Sequence, residues 1–309
     1  MSKSVLSADH FHDEAAAFSF VEARLWPTGP VCPRCKGSER VGKLAGKTTR
    51  PGLYKCYACR KPFTVRIGTI FESSHLELHL WLQAIHLLCA SKKGMSSNQL
   101  ARVLGITVKS AWFLSHRIRE VMRPEALEPM GGSGAQVEVD ETYIGRKEGR
   151  KKARSGYGHK RAVLSLVERG GSVRSFHVER ATVAEIVPIV RANVNRESQL
   201  LTDESRLYWS VGTEFADHQA IEHGKDEYVR GDVHTNTIEG VFSIFKRGMN
   251  GVYQHCGEKH LHRYLAEFDF RYNNRVRLGV DDKARAERVL QGVIGKRLTY
   301  RPLSGQPAA

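Results

Sequence analysis

The 309 residues are enough for two or three domains, and a hydrophobic fraction of 41% is enough for at least one sizeable core. The formal net charge of +15 favours a polyanionic partner, either nucleic acid or an anionic membrane surface. The sequence has no uninterrupted apolar run of about 18 residues and no signal-peptide pattern at its start, which argues against a membrane protein and for an intracellular one.

The N-terminal part begins with a helix and continues as a cysteine-rich module. Residues 12–26 carry apolar side chains at helical spacing, and the prolines and glycine of 27–30 end that helix. Residues 31–66 are short, β-like segments with two CxxC pairs separated by 20 residues. Such pairs can hold one structural Zn²⁺ in a tetrahedral site, and a redox CxxC or a chance spacing is the alternative. The predicted zinc ligands are Cys32, Cys35, Cys56 and Cys59.

Three helices are predicted next, near 75–91, 97–104 and 108–122. The last two fit a helix-turn-helix, because Ser96 and Thr107 can cap them and Gly105 supplies the turn. In that motif the second helix enters the major groove of DNA. An ordinary helical hairpin is the alternative. The residues of the second helix expected to face outward are Lys109, Ser110, His116, Arg117 and Arg119.

The sequence pattern changes to mixed α/β after a Pro-, Gly- and Ser-containing linker candidate. Strands are predicted near 136–139, 162–168, 172–178 and 199–202, with helices between and after them. The predicted domains are an N-terminal helix (1–29), a zinc ribbon (30–66), a helix-turn-helix region (67–125), a linker (126–135), a catalytic domain (136–280) and a C-terminal helix and tail (281–309).

Three acidic residues are candidates for a metal-dependent active site. Asp140 and Asp203 each follow a short apolar run, and Glu239 lies in the first turn of a predicted helix. Taken singly, each has a structural alternative: a turn residue, a helix cap, or a capping box with Asn236. Together they indicate catalysis, because open α/β sheets place ligand groups at strand ends, and carboxylates from separate elements can hold two Mg²⁺ ions for phosphoryl transfer.

The predicted helix around Glu239 supports this interpretation. Its apolar residues form one stripe, and Lys246, seven residues after Glu239, points in nearly the same direction. The carboxylate can bind a metal ion while the ammonium group holds a phosphate. The role of His234, just before this helix, stays open between support of the site and an ordinary loop position.

A basic stretch follows the first predicted strand of this region. Residues 146–161 contain eight basic side chains and one acidic one. A loop of this composition would bind DNA phosphates, although a solvated surface loop competes with that interpretation. Its position next to Asp140 favours DNA contact.

In combination these motifs resemble a bacterial DDE-type insertion-sequence transposase, of the group with an N-terminal zinc ribbon and an ISXO-like catalytic domain. The matching stretches cover most of residues 12–277 and include CPRC, YKCYACRKPF, VEVDETYIG, HTNTIEGVFSIFKRG and HRYLAEFDFRYNNR. The resemblance implies a multidomain α/β protein, with a zinc ribbon and helix-turn-helix before a ribonuclease H-like mixed-sheet catalytic domain. It assigns the three catalytic acids to Asp140, Asp203 and Glu239, with Asn236 as the alternative third residue.

The resemblance also implies the reaction and the partners. Two Mg²⁺ or Mn²⁺ ions would serve cleavage of element ends and transfer of the 3′-OH to target DNA. The partners would be double-stranded DNA and further copies of the chain, in a bacterial cytoplasm at the nucleoid. A DNA-binding regulator derived from a transposase, or a nuclease without strand transfer, is the alternative. The candidate DNA-binding residues are Lys109, Ser110, Arg117, Lys151, Lys152, Arg154, Lys246 and Arg247.

Overall fold

The computed structural model describes residues 4–125, 127–152, 154, 156–221, 224 and 229–299. Contacts divide the chain into two compact units, one formed by Met1–Met122 with Gly279–Ala309 and the other by Arg123–Leu278. Among the described residues, no helix has the length and apolar character needed to cross a lipid bilayer.

The elements alternate between helices and strands along the chain. In order they are α1 (Glu14–Leu25), β1 (Val41–Lys43), β2 (Tyr54–Cys56), β3 (Pro62–Phe63), α2 (Leu78–Ala90), α3 (Ser97–Leu104), α4 (Val108–Met122), β4 (Gln136–Ile144), β5 (Arg161–Glu168), β6 (Val173–Val178), α5 (Val183–Asn193), β7 (Gln199–Asp203), α6 (Trp209–Gly212), β8 (Asp217–Ile221), α7 (Asn236–Gly248), α8 (Leu261–Asn273) and α9 (Asp282–Gln291). Short 3₁₀ or π segments lie at Val5–Ser7, Asp9–Phe11, Met249–Tyr253, Glu258–His260 and Val276–Leu278.

In the first unit, helix α1 and the small sheet pack together. The sheet has the antiparallel order β1-β2-β3. Tyr54 of β2 donates its hydroxyl hydrogen to Glu22 of α1 at 2.9 Å, and the Trp26 ring contacts the rings of Tyr54 and Phe63 edge-on. A small sheet with few buried side chains gains apolar contact from the helix before it.

Helices α3 and α4 have the bounds expected from the sequence. Ser96 accepts the Gln99 N–H at 3.1 Å, and Thr107 accepts the Ser110 N–H at 3.1 Å, so a hydroxyl caps each helix. Gly105 ends α3 in the left-handed region with φ 66°. This conformation explains the glycine, because an L-residue there carries a steric penalty.

The expected outward face of α4 is wrong in its C-terminal half. His116, Arg117 and Arg119 are buried, whereas Lys109 is exposed and Ser110 half-buried. The guanidinium of Arg117 lies 5.2 Å from the centre of the Trp81 ring and donates to the Glu72 carbonyl at 2.6 Å. Long basic side chains can cover apolar surface with their stems, so a basic helix pattern alone does not identify the solvent side. Arg117 therefore leaves the set of candidate DNA contacts.

The C-terminal helix α9 belongs to the first unit. It packs against α1, α2 and α4, with Val289 fully buried. Arg24 of α1 donates to Glu287 of α9 at 2.6 Å, and Arg285 donates to the Cys89 carbonyl. Residues from both ends of the chain thus build one core.

The second unit is built on a five-stranded mixed sheet of order β6-β5-β4-β7-β8. Strands β4, β5 and β6 pair antiparallel, whereas β7 pairs parallel with both β4 and β8. The mixed α/β expectation is confirmed. Strand β8 (DHQAI) was not predicted, since its first four residues stay partly or fully exposed and lack the apolar alternation of a buried strand.

Helices cover both faces of this sheet. On one face the central strands pack against α5, where Val137, Val139 and Ile186 share a core with Leu200. On the other face, side chains of α7 and α8 pack over β5, with Phe245 and Phe268 against Val163. The alternation of side chains along β4 therefore decides which residues face α7.

Strand β4 is longer than predicted. The expected strand stopped at 139 with Asp140 at its end, but β4 continues to Ile144, and residues from Asp140 to Ile144 pair with β5. Thr142 and Ile144 are buried, so burial on alternate residues carries the strand past the acidic pair. Asp140 therefore lies in the middle of a central strand.

The predicted linker 126–135 is packed against the second unit over much of its length, although residue 126 lies outside the described residues. Met130 is buried and forms a parallel bridge to Val194. The Gly132 N–H donates to Ser198 at 2.9 Å. This segment leads directly into β4.

Candidate active site and metal centres

Two of the predicted acids meet at the centre of the large sheet. The parallel register pairs Val137 with Leu200 and Glu138 with Leu201. Asp140 and Asp203 each follow this last pair by two residues, and the charge of Asp203 acts on Asp140. Glu138, two residues before Asp140, bonds to the backbone of α7, and side chains two apart on a strand share a face, so Asp140 lies on the face that α7 covers.

The third predicted acid reaches the same place from helix α7. Glu239 and Lys246 line one cavity of about 440 Å³ with Asp140. The predicted apolar stripe of α7 is buried, which holds the polar side of the helix toward this cavity. The complete lining is Asp140, Glu141, Thr142, Glu239, Phe242, Ser243, Lys246 and Arg247.

The electrostatics of this cavity are unfavourable for carboxylates without a cation. Burial, followed by the charges of Asp203 and Glu141, raises the pKa of Asp140 to about 8. Burial also raises the pKa of Glu141, although the Tyr208 hydroxyl donates to it at 2.6 Å. Carboxylate oxygens are the ligands that Mg²⁺ and Mn²⁺ prefer, so the donor set fits a divalent cation.

The alternative third residue, Asn236, does not line this cavity. It is exposed at the first position of α7, and its backbone N–H donates to the His234 ring at 3.3 Å. Glu239 accepts a long hydrogen bond of 3.4 Å from the Thr235 hydroxyl and does not form the capping box with Asn236 that its spacing allowed.

Sequence reasoning missed the acid that holds helix α7 in place. Glu138 is fully buried in β4 and accepts the Ile238 backbone N–H at 2.8 Å. It also pairs with Arg169 at 2.7 Å, and Arg169 in turn donates to His234. One signal was present, because a charged residue inside an apolar central strand is rarely buried without a partner.

The four predicted zinc ligands form the tightest ligand cluster in the described part of the chain. Their sulfur atoms all lie within 4.8 Å of one another. The Cys32 and Cys59 sulfurs are 3.7 Å apart, and those of Cys35 and Cys56 are 3.5 Å apart. A tetrahedron with Zn–S bonds of about 2.3 Å has an edge of about 3.8 Å, so the four thiols fit Zn²⁺. Four cysteine ligands leave no open position, which makes the ion structural.

Backbone N–H groups near the first cysteine pair favour the thiolate of Cys32. Burial opposes ionisation of Cys32, but hydrogen bonds from the backbone N–H groups of Cys35 and Arg34 outweigh it, and its pKa falls to about 7. The residues after the second cysteine of each pair, Lys36 and Arg60, have φ near 60°. The two CxxC turns therefore have matching backbone geometry.

The basic stretch forms an exposed loop between β4 and β5. Lys151, Lys152 and Arg154 are exposed, while residues 153 and 155 lie outside the described part. At the base of the loop the rings of Tyr143 and Tyr157 stack with centroids 4.6 Å apart. These three cations are open to solvent, as contact with phosphates requires.

Comparisons with known proteins agree with both regions. Residues 131–273 match the family model of the ISXO2-like transposase domain, and residues 12–62 match that of the transposase zinc-ribbon domain. The first match includes all three predicted acids and the second all four cysteines.

A similar protein also comes from a transposable element. The chain is 26% identical over 278 residues, or 84% of its length and 91% of the relative's, to an uncharacterized protein in transposable element ISH50 of Halobacterium salinarum. The resemblance drawn from the motifs is thus confirmed. The chain carries a match to the ISXO2-like transposase domain together with a match to the transposase zinc-ribbon domain, the combination expected from its motifs.

Proposed function

We propose that this protein is a transposase that binds the ends of its insertion sequence, cleaves a DNA phosphodiester there and joins the freed 3′-OH to target DNA. The observation that carries the proposal is that Asp140, Glu239 and Lys246 line one cavity, while Asp203 of the neighbouring strand lies close enough to Asp140 for its charge to raise the pKa of Asp140. In a protein with formal net charge +15, such a concentration of acids favours a catalytic cation site.

The three acids would hold two divalent cations, Mg²⁺ or Mn²⁺. Such ions, when bound, activate the attacking oxygen and stabilise the leaving oxygen of an in-line displacement. Asp140 lies between Asp203 on the neighbouring strand and Glu239 on α7, so its carboxylate would share in holding the cations with both of them.

The basic side chains would position the DNA. Lys246 and Arg247 line the acid cavity, where they can hold phosphates that flank the scissile bond.

The proposed reaction has two steps. In the first, water attacks the scissile phosphorus, and the 3′ oxygen of the element end takes up a proton and leaves as a 3′-OH. In the second, that 3′-OH attacks a phosphorus of the target strand, and the target fragment on the 5′ side of that phosphorus leaves with its own 3′-OH.

The remaining DNA contacts would come from two surfaces. The exposed loop contributes Lys151, Lys152 and Arg154, and the start of α4 contributes Lys109 and Ser110 as part of a helix-turn-helix. Joining two element ends calls for at least two active sites, so we infer a homo-oligomer on DNA that works at the nucleoid. The catalytic fold is expected to be ribonuclease H-like.

Strand cleavage and strand transfer on labelled duplexes test the proposal. The duplexes carry the ends of the insertion sequence that encodes the chain, with Mg²⁺ and a target plasmid. Asp140→Asn, Asp203→Asn and Glu239→Gln are each expected to lower both reactions by roughly 10²–10³-fold or more, while DNA affinity stays near wild type.

Two matched variants make this test specific. Glu204→Gln changes the exposed neighbour of Asp203 and should leave both reactions unchanged, and Asn236→Ala should do the same. Activity that survives Glu239→Gln but disappears in Asn236→Ala would move the third role to Asn236. Cleavage without joining would indicate a nuclease, and DNA binding without either reaction would indicate a regulator.

A further inference from the structure

Helix α7 begins without a cap of its own. The side chain of its N-cap residue, Thr235, accepts none of the first-turn backbone N–H groups. Two of the first-turn N–H groups are instead bound from outside the helix: that of Asn236 by the His234 ring and that of Ile238 by the carboxylate of Glu138. A carboxylate at this end of a helix satisfies a backbone donor and interacts favourably with the helix dipole.

Arg169 fixes both the carboxylate and the segment before the helix. A guanidinium has five N–H donors, and those of Arg169 are spread over five acceptors on two parts of the chain. The acceptors are Glu138 Oε1 at 2.7 Å, Gln136 Oε1 at 2.7 Å, the Asp232 carbonyl at 2.6 Å, His234 Nδ1 at 2.9 Å and the His234 carbonyl at 2.7 Å.

This arrangement also fixes the chemical form of His234. Arginine can only donate, so Nδ1 of His234 accepts the hydrogen bond and the ring hydrogen lies on Nε2. The same Nδ1 atom accepts from the Asn236 backbone at 3.3 Å. His234 thus links the guanidinium to the first residue of α7.

The network lies directly beside two of the proposed catalytic acids. Glu138 precedes Asp140 by two residues on the same face of β4, which separates their Cα atoms by about 7 Å. Ile238, whose N–H Glu138 accepts, immediately precedes Glu239. One buried carboxylate therefore connects the strand that carries Asp140 with the helix turn that carries Glu239.

We propose that Glu138 and Arg169 are positioning residues that hold Glu239 opposite Asp140, so that the acids bind a divalent cation together. The inference rests on the proposed function of those acids. Neither Glu138 nor Arg169 lines the acid cavity, so both act through the start of α7. Residues that orient metal ligands in this way typically contribute about 10–100-fold to metal affinity.

A second buried Glu–Arg pair in the same unit serves as a matched control. Glu267 is also fully buried and pairs with Arg271 one turn along α8. Its further partner, Tyr253, follows the C-terminal end of α7 and not its start. Loss of either carboxylate removes a buried charge next to a guanidinium, but only Glu138 touches the turn that carries Glu239.

The test measures Mn²⁺ binding by electron paramagnetic resonance on the full-length, zinc-loaded chain without DNA. Glu138→Gln is expected to raise the Mn²⁺ dissociation constant about 10–100-fold. Arg169→Lys, which keeps the charge but has three donors where five are needed, should produce a shift in the same range. Glu267→Gln should bind Mn²⁺ like wild type, even where its melting temperature falls.

Hydrogen exchange supplies a readout independent of the metal. Glu138→Gln should accelerate exchange at the first turn of α7, whereas Glu267→Gln should leave that turn protected. The inference is overturned if both Glu138→Gln and Arg169→Lys bind Mn²⁺ within twofold of wild type, or if Glu267→Gln weakens binding as much. Arg169→Lys keeps the test decisive where Glu138→Gln does not fold.

Asp140→Asn separates this inference from the proposed function. If Asp140→Asn binds Mn²⁺ like wild type, the acid cluster is not the metal site and the proposed function fails. If Asp140→Asn loses Mn²⁺ while Glu138→Gln and Arg169→Lys keep it, only the positioning role fails.

Discussion

The two candidate metal centres are built in opposite ways. In the ribbon, four thiols from two short turns already lie at the spacing of a zinc tetrahedron. In the catalytic unit, the carboxylates come from β4, β7 and α7, and among the described residues they do not form a cluster as tight as that of the thiols. The ribbon has little core and is expected to need its ion to fold, whereas the large sheet folds by packing without a metal ion.

Of the two centres, the zinc site contributes more to folding stability. The ribbon core contains two of its own zinc ligands, Cys32 and Cys56, among its four buried members. The sheet has extensive apolar cores on both faces, and burial together with the neighbouring acids raises the pKa of Asp140. Metal binding should therefore complete the fold of the ribbon. In the large sheet it should relieve the repulsion between carboxylates around Asp140.

The largest expected effect is loss of the zinc site. Cys56→Ser removes a buried ligand, and apparent binding free energies for structural zinc in small modules are about 10–16 kcal/mol, so the ribbon should unfold. Limited proteolysis should then cut within residues 30–66, and the zinc content should fall toward zero. The thermal transition of the second unit should stay where it is.

Cys256→Ser is the control, because Cys256 lies in the second unit outside the cluster and is half-buried. It should keep full zinc content and an intact ribbon. A ribbon that resists proteolysis after Cys56→Ser would remove the contrast between the two centres.

Loss of the Asp140 carboxylate should stabilise the fold, whereas loss of a zinc ligand should destabilise it. The pKa of Asp140 is raised to about 8, so the folded state holds its proton more tightly than the unfolded state does. That contribution is complete below about pH 4 and is lost as pH rises through about 8. Asp140→Asn mimics the protonated form and should stabilise the magnesium-free protein by about 1–2 kcal/mol near pH 8, and by less near pH 5.

Thermal unfolding of the zinc-loaded chain without added Mg²⁺ measures this difference. Glu204→Gln serves as the exposed control and should change little at either pH. Burial raises the pKa of Asp269 to about 7. Because Asp269 titrates in both proteins, its contribution to the pH dependence cancels in the comparison. A lower melting temperature for Asp140→Asn near pH 8 would show that the acids do not repel one another in the fold.

A smaller effect should appear in magnesium binding. Below a pH of about 8 a cation must displace the proton of Asp140, so the apparent Mg²⁺ affinity should rise by up to about tenfold per pH unit and level off above that pH. Calorimetric titration in two buffers of different ionisation enthalpy measures the released proton. Asp269→Asn should keep this dependence, while a flat profile in the wild type would place the cation away from Asp140.

The sequence predicted local features far better than distant ones. The cysteine pairs and the α3–α4 hairpin depend on spacings of a few residues, and both are present as expected. Asp140 was placed at a strand end because its acidic neighbour hid the continuing alternation of β4. The first-turn bond between Glu138 and Ile238 joins residues 100 positions apart, which no local pattern encodes.

Burial of charged side chains was the other source of error. Arg117 fits a solvent-facing basic stripe by its position in α4, yet it packs on Trp81 and is only 4% exposed. The edge strand β8 was missed because its residues are mostly polar, although it pairs with β7 along its whole length. In both cases the burial or the strand pairing depends on residues far away in the sequence, and the local pattern carries no information about them.

The smallest predicted effect concerns the backbone conformation of Lys36 in the ribbon. Lys36 is exposed, and its backbone has φ 60° in the turn after Cys35, where an L-residue costs about 1–2 kcal/mol. Lys36→Gly removes that cost but adds freedom to the unfolded chain, so the ribbon should gain up to about 1 kcal/mol. Lys61→Gly is the control, because this exposed residue lies outside the positive-φ region and should lose stability. Zinc-release rates in a chelator measure both changes, and equal acceleration by the two variants would mean that the turn geometry stores no strain.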